Sequence, residues 1–187
     1  MQITRWLGEA KSRLIYDWKP FQQYRMRSLY SQILNSGDLA FDVGSHTGNR
    51  IRCWRSLGAK VIGIEPQPRF FDKLEREFRA DDNVRLVQAG LSDREGMADL
   101  HICHSSPTLS TFATDWIEEA KTRPIFKGIE WNETIQMPLM TLDQLIEVAG
   151  LPKFIKIDVE GLELAVLNGL TQPVPFISFE VILSSVN

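Results

Sequence analysis

Short apolar runs alternate with amphipathic stretches along most of the chain. The apolar runs predict β-strands at residues 39–43, 60–65, 84–89, 154–159 and 176–183. The amphipathic stretches predict helices at residues 49–57, 68–79 and 162–169. The predicted strands lack period-two alternation, which is typical of strands that are buried on both faces. Strands that alternate with helices predict right-handed crossovers and an α/β fold, a mostly parallel sheet with helices on both faces.

An insertion at about residues 94–140 interrupts this alternation. Within it, residues 97–103 alternate apolar and polar side chains, and residues 134–139 are a candidate antiparallel partner strand. A polar loop, "HSSPTLSTF", and a predicted helix at residues 115–121 lie between these two strands. Long insertions with few apolar anchors usually form binding loops or lids, so we expect one here.

The apolar pattern of residues 1–36 predicts one or two helices with a break at Pro20. We expect this segment to cover a single domain formed by residues 37–187. Basic side chains outnumber acidic ones in this segment, which is compatible with a patch for a membrane surface or a nucleic acid. Because these charges do not form a dense run, a cover helix with a solvated basic face is the favoured interpretation.

The size and composition of the chain exclude several classes of protein. Its 187 residues are enough for one domain with a substantial core, and its net charge of −3 does not indicate general affinity for nucleic acids. No apolar run is long enough to cross a bilayer, and the N-terminus lacks the apolar core of a signal peptide. Cys53 and Cys103 are far apart, so no disulfide framework is expected and a cytoplasmic location fits best.

The turn after the first predicted strand, "DVGSHTG" at residues 42–48, departs from two common nucleotide sites. A phosphate-binding P-loop ends in Gly-Lys-Ser/Thr, whereas this turn continues with Gly-Asn-Arg. A nicotinamide-binding turn needs G-x-G-x-x-G, and His46 occupies the position of its middle glycine. Asp42 adds a negative charge, which repels phosphates and suits a ligand that carries an ammonium or a sulfonium group.

S-adenosylmethionine is a ligand of this kind, because it has no phosphate, one ribose and a cationic sulfur. Glu65 ends the second predicted strand, 23 residues after Asp42, where a carboxylate would accept both hydroxyls of a ribose lying across the first turn. Two other interpretations stay open at this point. Asp42 could cap the helix that follows it, and Glu65 could be a surface acid.

Five further motifs resemble the FkbM-type methyltransferases. The motifs are "FDVGSHTGN", "VIGIEP", "GLSDREG", "MTLDQL" and "FIKIDVEGLELAVLNG", and the resemblance covers roughly residues 39–181. The resemblance implies a Rossmann-like class I methyltransferase sheet with strand order 3-2-1-4-5-7-6. It also implies S-adenosylmethionine as cofactor and, as acceptor, a hydroxyl group on a sugar or another small natural product.

The resemblance further implies where the cofactor is held. The first turn would hold its amino acid end, the end of the second strand its ribose, and the segment after the third strand its adenine. The residues at these positions are Asp42, Gly44, Ser45, His46, Gly48, Glu65, Pro66, Ser92 and Asp93. In the family the turn is commonly Asp-Val-Gly-Ala-Asn-x-Gly, so His46 would either contact the cofactor carboxylate or only fill the turn.

The candidates for catalysis follow the fourth parallel strand. Asp158 and Glu160 would face the methyl group and the acceptor, and Lys156 would support them, paired with Asp158 or with an acid across the sheet. Glu160 could instead be an acid that answers the dipole of the following helix. Candidate residues for the acceptor are Ser110, Thr111 and Glu180. No metal is expected, since the sequence around residues 101–104 lacks a matching second ligand pair.

The chain ends soon after the fifth parallel strand, so the last two strands of the family sheet would be absent. The apolar segment "FISFEVIL" would then be an uncovered edge strand, which makes a homodimer through that edge a hypothesis. Two alternative functions stay open. One is a cofactor-binding or assembly module with impaired catalysis, and the other is a nicotinamide-dependent oxidoreductase or epimerase.

Overall fold

The computed structural model describes residues 20–180, with side chains from residue 23 onward. The strands are β1 (Leu39–Val43), β2 (Lys60–Ile64), β3 (Val84–Val87), β4 (Gly90–Leu91), β5 (Gly96–Ile102), β6 (Glu133–Met140), β7 (Phe154–Ile157) and β8 (Phe176–Phe179). The helices are α1 (Pro20–Tyr30), α2 (Asn49–Ser56), α3 (Pro68–Phe78), α4 (Thr114–Thr122), α5 (Leu142–Ala149) and α6 (Glu163–Asn168). Short 3-10 turns lie at Pro107–Leu109 and Pro124–Phe126.

The central sheet has five parallel strands in the order β3-β2-β1-β7-β8. The chain runs outward from β1 through β2 to β3 and later returns to the other side of β1 as β7. The α/β fold and the parallel sheet predicted from the sequence are therefore confirmed. The order reverses between β1 and β7, and ligands of open parallel sheets bind outside the carboxyl ends of the strands at such a point.

Alternate residues of the sheet enter two different cores, because successive side chains of a strand point to opposite faces. On one face, Ala40 and Phe154 pack with Trp54 of α2 and with Tyr30 of α1. The rings of Tyr30 and Trp54 lie 5.4 Å apart, and those of Trp54 and Phe154 lie 5.5 Å apart. The opposite face is covered by α5 and α6 over buried side chains of β1, β2 and β7.

The insertion forms a second, three-stranded sheet in the order β4-β6-β5. Its antiparallel β5–β6 pair confirms the partner strands predicted at residues 97–103 and 134–139. The strand predicted over residues 84–89 was too long, because β3 ends at Val87 and Gly90 already belongs to this second sheet, paired in parallel with Leu139. The insertion is thus anchored on the segment that follows β3.

Two other predicted strands are shorter in the structure. The strand predicted over residues 154–159 ends at Ile157, because Glu160 (φ 53°) and Gly161 (φ 101°) turn the backbone into the left-handed region. The last parallel strand ends at Phe179 within the described residues, and Phe176 and Phe179 are exposed on it. Pairing of two chains through this strand stays a prediction, as does the division into residues 1–36 and 37–187.

Two of the elements predicted from the sequence lie outside the described residues. They are the predicted helical segment before residue 20 and the end of the strand predicted up to residue 183. Among the described helices, none is both long enough and apolar enough to span a membrane.

Candidate functional site

A cavity of about 490 Å³ opens where the carboxyl ends of β1, β2 and β7 meet. Backbone and side chains from all three strand ends line it, and the Pro107–Leu109 turn of the insertion faces them. A cavity of this volume is suited to a ligand of cofactor size. Its place at the reversal of strand order is the one where open parallel sheets bind their ligands.

The turn after β1 forms the floor of the cavity. The backbone N–H groups of Gly44 and Ser45 both donate to the carbonyl oxygen of Ile64, each at 3.0 Å, and the Ser45 hydroxyl donates to the carbonyl of Asp42 at 2.8 Å. Gly44 has φ 82°, and a Cβ at this position would overlap the carbonyl oxygen of Asp158. The turn therefore needs glycine here, because the β1 and β7 backbones approach closely at the ligand side.

Glu65 is the buried carboxylate of this cavity, 2 % exposed, and Pro66 lines the cavity beside it. Its Oε2 accepts a hydrogen bond from the His46 N–H at 2.7 Å, and its Oε1 accepts one from the Gln67 N–H at 2.9 Å. Each carboxylate oxygen has a second lone pair, so Glu65 has room to accept two further hydroxyl groups. Burial raises the pKa of Glu65 to about 7, although its two backbone hydrogen bonds act in the opposite direction.

His46 fills the turn and lines the cavity at the same time. It has φ 46°, and its ring packs on Phe70 with 4.1 Å between the ring centroids. Burial, with a smaller contribution from Lys73, lowers the pKa of His46 to about 4. The imidazole is therefore neutral at physiological pH and adds no charge to the cavity.

Asp42 lies below the cavity and not in its lining. It is fully buried on the face of the sheet that carries Ala40, and neither oxygen of its carboxylate accepts a hydrogen bond from the described residues. Burial raises the pKa of Asp42 to about 6, and the guanidinium of Arg50 partly counteracts this. Its predicted contact with the amino acid end of a cofactor stays a prediction, and the position favours an electrostatic effect on the ligand over direct contact.

Asp158 stands at the cavity wall, directly after β7, between two cations. Its Oδ2 accepts a hydrogen bond from Arg50 at 2.8 Å and lies 3.5 Å from the Lys156 ammonium. Arg50 also interacts electrostatically with Asp42. Lys156 donates to the carbonyl of Ile157 at 2.9 Å and does not line the cavity. The proposed pairing of Lys156 with Asp158 is therefore present, and Lys156 acts behind the wall.

Glu160 projects into the cavity from the turn that follows Asp158. The hydroxyl of Thr111 donates to the Glu160 carbonyl at 2.7 Å, and the Gly161 N–H donates to Glu163 at 3.0 Å. Burial raises the pKa of Glu160 to about 8, with further contributions from the negative charges of Asp158, Glu180 and Glu163. The turn thus presents to the ligand a carboxyl group that readily holds a proton.

The insertion closes the opposite wall of the cavity. Thr108, Leu109, Ser110 and Phe112 line it there. The Trp131 indole donates to the Leu109 carbonyl at 2.7 Å, which fixes the turn that carries these residues. Glu180 reaches the cavity from beyond β8, and burial together with the neighbouring Asp158 raises its pKa.

The structure brings together most of the residues predicted from the sequence. Nine of the predicted site residues line one cavity: Gly44, Ser45, His46, Glu65, Pro66, Ser110, Asp158, Glu160 and Glu180. Thr111 lies behind the lining and holds the Glu160 backbone. Gly48 packs against Leu74 and Phe78 of α3. The Ser92 hydroxyl donates a hydrogen bond to the Asp93 carboxylate, and neither residue lines the cavity. The segment after β3 contributes Ala89, Gly90 and Leu91 to the lining instead. Contact of Ser92 or Asp93 with adenine stays a prediction that their position does not favour.

Arg50 is the functional candidate that sequence reasoning missed. It is the second residue of α2, and a positive charge in the first turn of a helix opposes the helix dipole. An arginine at such a position indicates a nearby anion, which the structure identifies as Asp158.

Among residues 20–180, no group of three or more potential ligands could hold a metal ion.

The free energy of unfolding of the ligand-free protein is expected to fall as the pH rises from about 4 to about 7. Asp42, Glu65 and Glu160 all have a raised pKa in the folded state, and together they outweigh the opposite effect of His46, whose pKa is lowered, so the folded protein binds more protons than the unfolded chain in this range. The stability they contribute is present at low pH and is lost as each carboxyl group ionises. Urea denaturation across this range measures the slope.

The variant Asp42→Asn is expected to make this slope shallower between about pH 4 and pH 6, while the part due to Glu65 remains. Asp82→Asn is the matched control, because Asp82 is exposed and should leave the slope unchanged. Parallel curves for Asp42→Asn and the unaltered protein would show that Asp42 does not titrate in this range.

Comparison with known proteins identifies the family of this chain. The family model described as "Methyltransferase FkbM domain" matches residues 42–184. A curated relative, hexuronic acid methyltransferase AglP of Haloferax volcanii, is 32% identical over 148 residues. That alignment covers 78% of this chain and 55% of the relative, so the chain spans about half the length of that protein.

Two solved structures are similar at low identity. A precorrin-6y C5,15-methyltransferase from Geobacter metallireducens has 13% identity and a TM-score of 0.44, covering 81% of this chain and 56% of that one. A putative protein-L-isoaspartate O-methyltransferase from Plasmodium falciparum has 15% identity and a TM-score of 0.40, covering 87% and 61%. TM-scores this low do not by themselves establish a shared fold. The family match and the strand order of the sheet agree, and the chain belongs to the FkbM methyltransferase domain family.

Proposed function

We propose that this chain is an S-adenosylmethionine-dependent methyltransferase that methylates a hydroxyl group of a sugar or of another small hydroxylated molecule. The observation that carries the proposal is one cavity with a ribose-type acceptor, Glu65, at one strand end and two carboxyl groups, Asp158 and Glu160, at another. The AglP relative acts on a hexuronic acid, which supports a sugar as the acceptor.

Membership of the family makes S-adenosylmethionine the cofactor of this chain, and the residues present fit it. The Gly44 turn lets the ends of β1 and β7 approach each other closely at the floor of the cavity. Glu65 retains lone pairs for two hydroxyl groups, and the carboxyl groups of Asp158, Glu160 and Glu180 suit a ligand with a positive charge. Gly44, Ser45 and His46 would hold the amino acid end, and Glu65 the ribose.

S-adenosylmethionine supplies, when bound, a methyl group on a sulfonium sulfur that accepts the bonding electrons as the methyl leaves. The protein has two tasks beside it. The cavity walls hold the acceptor oxygen in line, and such alignment is worth about 7 kcal/mol or more in well-oriented systems. A carboxylate, Asp158 or Glu160, takes the hydroxyl proton, which contributes about 10²–10⁴-fold.

The insertion provides the wall for the acceptor. Thr108 and Ser110 present hydroxyl groups beside the apolar Leu109 and Phe112, a mixture that suits the polar edges and apolar faces of a sugar. The acidic groups on the facing wall favour a neutral hydroxyl over a carboxylate as the methylated group, because a second anion would be repelled.

Methyl transfer from radiolabelled S-adenosylmethionine to hexuronic acids, uronate-containing oligosaccharides and neutral hexoses tests the proposal. A labelled product that survives mild alkali is an ether and supports methylation of a hydroxyl. A product that loses its label in alkali is an ester and would move the reaction to a carboxylate. Binding of the donor without transfer to any acceptor would favour the alternative, a cofactor-binding or assembly module.

Asp158→Asn is expected to lower the rate of methyl transfer about 100-fold, whether Asp158 takes the proton or positions the reacting groups, and to weaken donor binding by a smaller factor through the lost negative charge. The change removes a carboxylate at the cavity wall and leaves Glu65 and the Gly44 turn untouched. Asp99→Asn, on β5 and paired with Gln136 outside the cavity, is the matched control. A turnover equal to that of the control would remove Asp158 from the reaction.

A further inference from the structure

Asp158 and Glu160 are only two residues apart, yet their surroundings are opposite. Asp158 lies against two cations, Arg50 at 2.8 Å and Lys156 at 3.5 Å. Both cations also interact electrostatically with the buried Asp42. The two cations fix the position of the Asp158 carboxylate, and this geometry suits a positioning role.

Glu160 is placed in the cavity by its backbone and not by an ion pair. Its left-handed backbone conformation (φ 53°) is held from one side by the Thr111 hydroxyl on its carbonyl. On the other side Glu163 accepts hydrogen bonds from the N–H groups of Val159 and Gly161. Within residues 23–180 no ion pair joins the Glu160 carboxyl group to a cation.

The charged groups that face Glu160 are mostly acidic. They are Asp158 and Glu163 from the same turn, Glu180 from beyond β8, and Lys156 from β7 as the one cation with a smaller effect. Together with burial, the three acids raise the pKa of Glu160 to about 8. At pH 7 such a group is about nine-tenths protonated. In the ligand-free protein it is therefore unable to accept the proton of a hydroxyl.

We propose that Glu160 is the proton-accepting group of this site, that it releases a stored proton when the cationic methyl donor enters the cavity, and that Asp158 is a positioning residue. The proposal rests on the proposed function. A sulfonium in this cavity places a positive charge near the carboxyl groups that line it, which favours their ionised forms. The proton leaves to solvent, and the resulting carboxylate of Glu160 is then free to take the proton of the acceptor hydroxyl. In this way the base is formed only once the donor is in place.

The measurement is the number of protons released on binding. The 187-residue chain is titrated calorimetrically with S-adenosylmethionine at pH 7 in two buffers of different ionisation enthalpy, and the difference in heat gives the proton count. The same titration with S-adenosylhomocysteine supplies a ligand without the sulfonium charge. Both ligands are also titrated into Glu160→Gln, so that protons from the ligands themselves and from Glu65 cancel in the comparison.

The expected result is that S-adenosylmethionine releases about 0.5–1 proton more from the unaltered protein than from Glu160→Gln at pH 7. The homocysteine ligand should give a much smaller difference between the two proteins. In the unaltered protein, the excess of proton release with S-adenosylmethionine over that with S-adenosylhomocysteine should also disappear at about pH 9.5, where Glu160 is already ionised. This pH series needs no variant and keeps the proposal testable if Glu160→Gln does not fold.

Three outcomes separate the proposal from the function on which it rests. No binding of S-adenosylmethionine would overturn the proposed function, and this inference with it. Binding with equal proton release from both proteins and no change with pH would overturn the inference alone. A release that follows Asp158→Asn instead of Glu160→Gln would assign the proton to Asp158 and reverse the two roles.

Discussion

Glu65→Ala is expected to lower the affinity for S-adenosylmethionine about 100-fold or more. Glu65 is the buried carboxylate of the cavity, and hydrogen bonds to a charged group are each worth about 1.5–3 kcal/mol. Losing two such bonds to a ribose corresponds to about two decades in affinity or more. Calorimetric titration of the variant measures the change directly.

The same substitution also removes the acceptor for two backbone N–H groups, those of His46 and Gln67. A loss of stability of about 1–3 kcal/mol for each unsatisfied group is therefore expected. Asp143→Ala is the matched control, because Asp143 also accepts from backbone N–H groups, at Thr171 and Gln172, but lies outside the cavity. The control should lose stability and keep its affinity. Equal affinity in Glu65→Ala and Asp143→Ala would refute the ribose assignment.

Gly44→Ala is expected to destabilise the protein by about 3 kcal/mol or more and to abolish binding of the donor. Two costs add at this position. The backbone has φ 82°, and the new methyl group would overlap the carbonyl oxygen of Asp158. The β1 and β7 ends would have to separate, which displaces both walls of the cavity. Urea denaturation and donor titration measure the two effects.

Gly37→Ala separates the two costs. Gly37 has a similar φ of 85°, but a Cβ there meets no other atom within 4 Å. It should therefore show only the cost of the left-handed conformation, about 1–2 kcal/mol, and bind the donor normally. If both variants lose the same stability and both bind, the close approach of the Gly44 turn to Asp158 has no role in shaping the site.

The central strands could be predicted from the sequence because their local signal and their environment agree. The runs at β1 and β2 are apolar, are bounded by glycine or polar turns, and are buried on both faces. Glu65 could be placed at the cavity for the same reason, since it directly follows a buried strand whose neighbour is the strand of the glycine turn. Local pattern suffices where a residue is fixed by the end of a parallel strand.

The positions of segments after the strand ends could not be predicted, because they depend on contacts between residues that are distant in sequence. The break after Val87 could not be predicted, because it depends on Gly90 pairing in parallel with Leu139 some fifty residues later. Contact of Thr111 with the Glu160 carbonyl likewise joins two segments with no shared local pattern.

The most direct test of the proposed cofactor site is calorimetric titration of the 187-residue chain with S-adenosylmethionine and, separately, with NAD. We expect saturable binding of S-adenosylmethionine and none of NAD, because Glu65 suits a ribose and the acidic groups of the cavity would repel the phosphates of NAD. Binding of NAD alone would contradict this expectation and would indicate a nicotinamide-binding site.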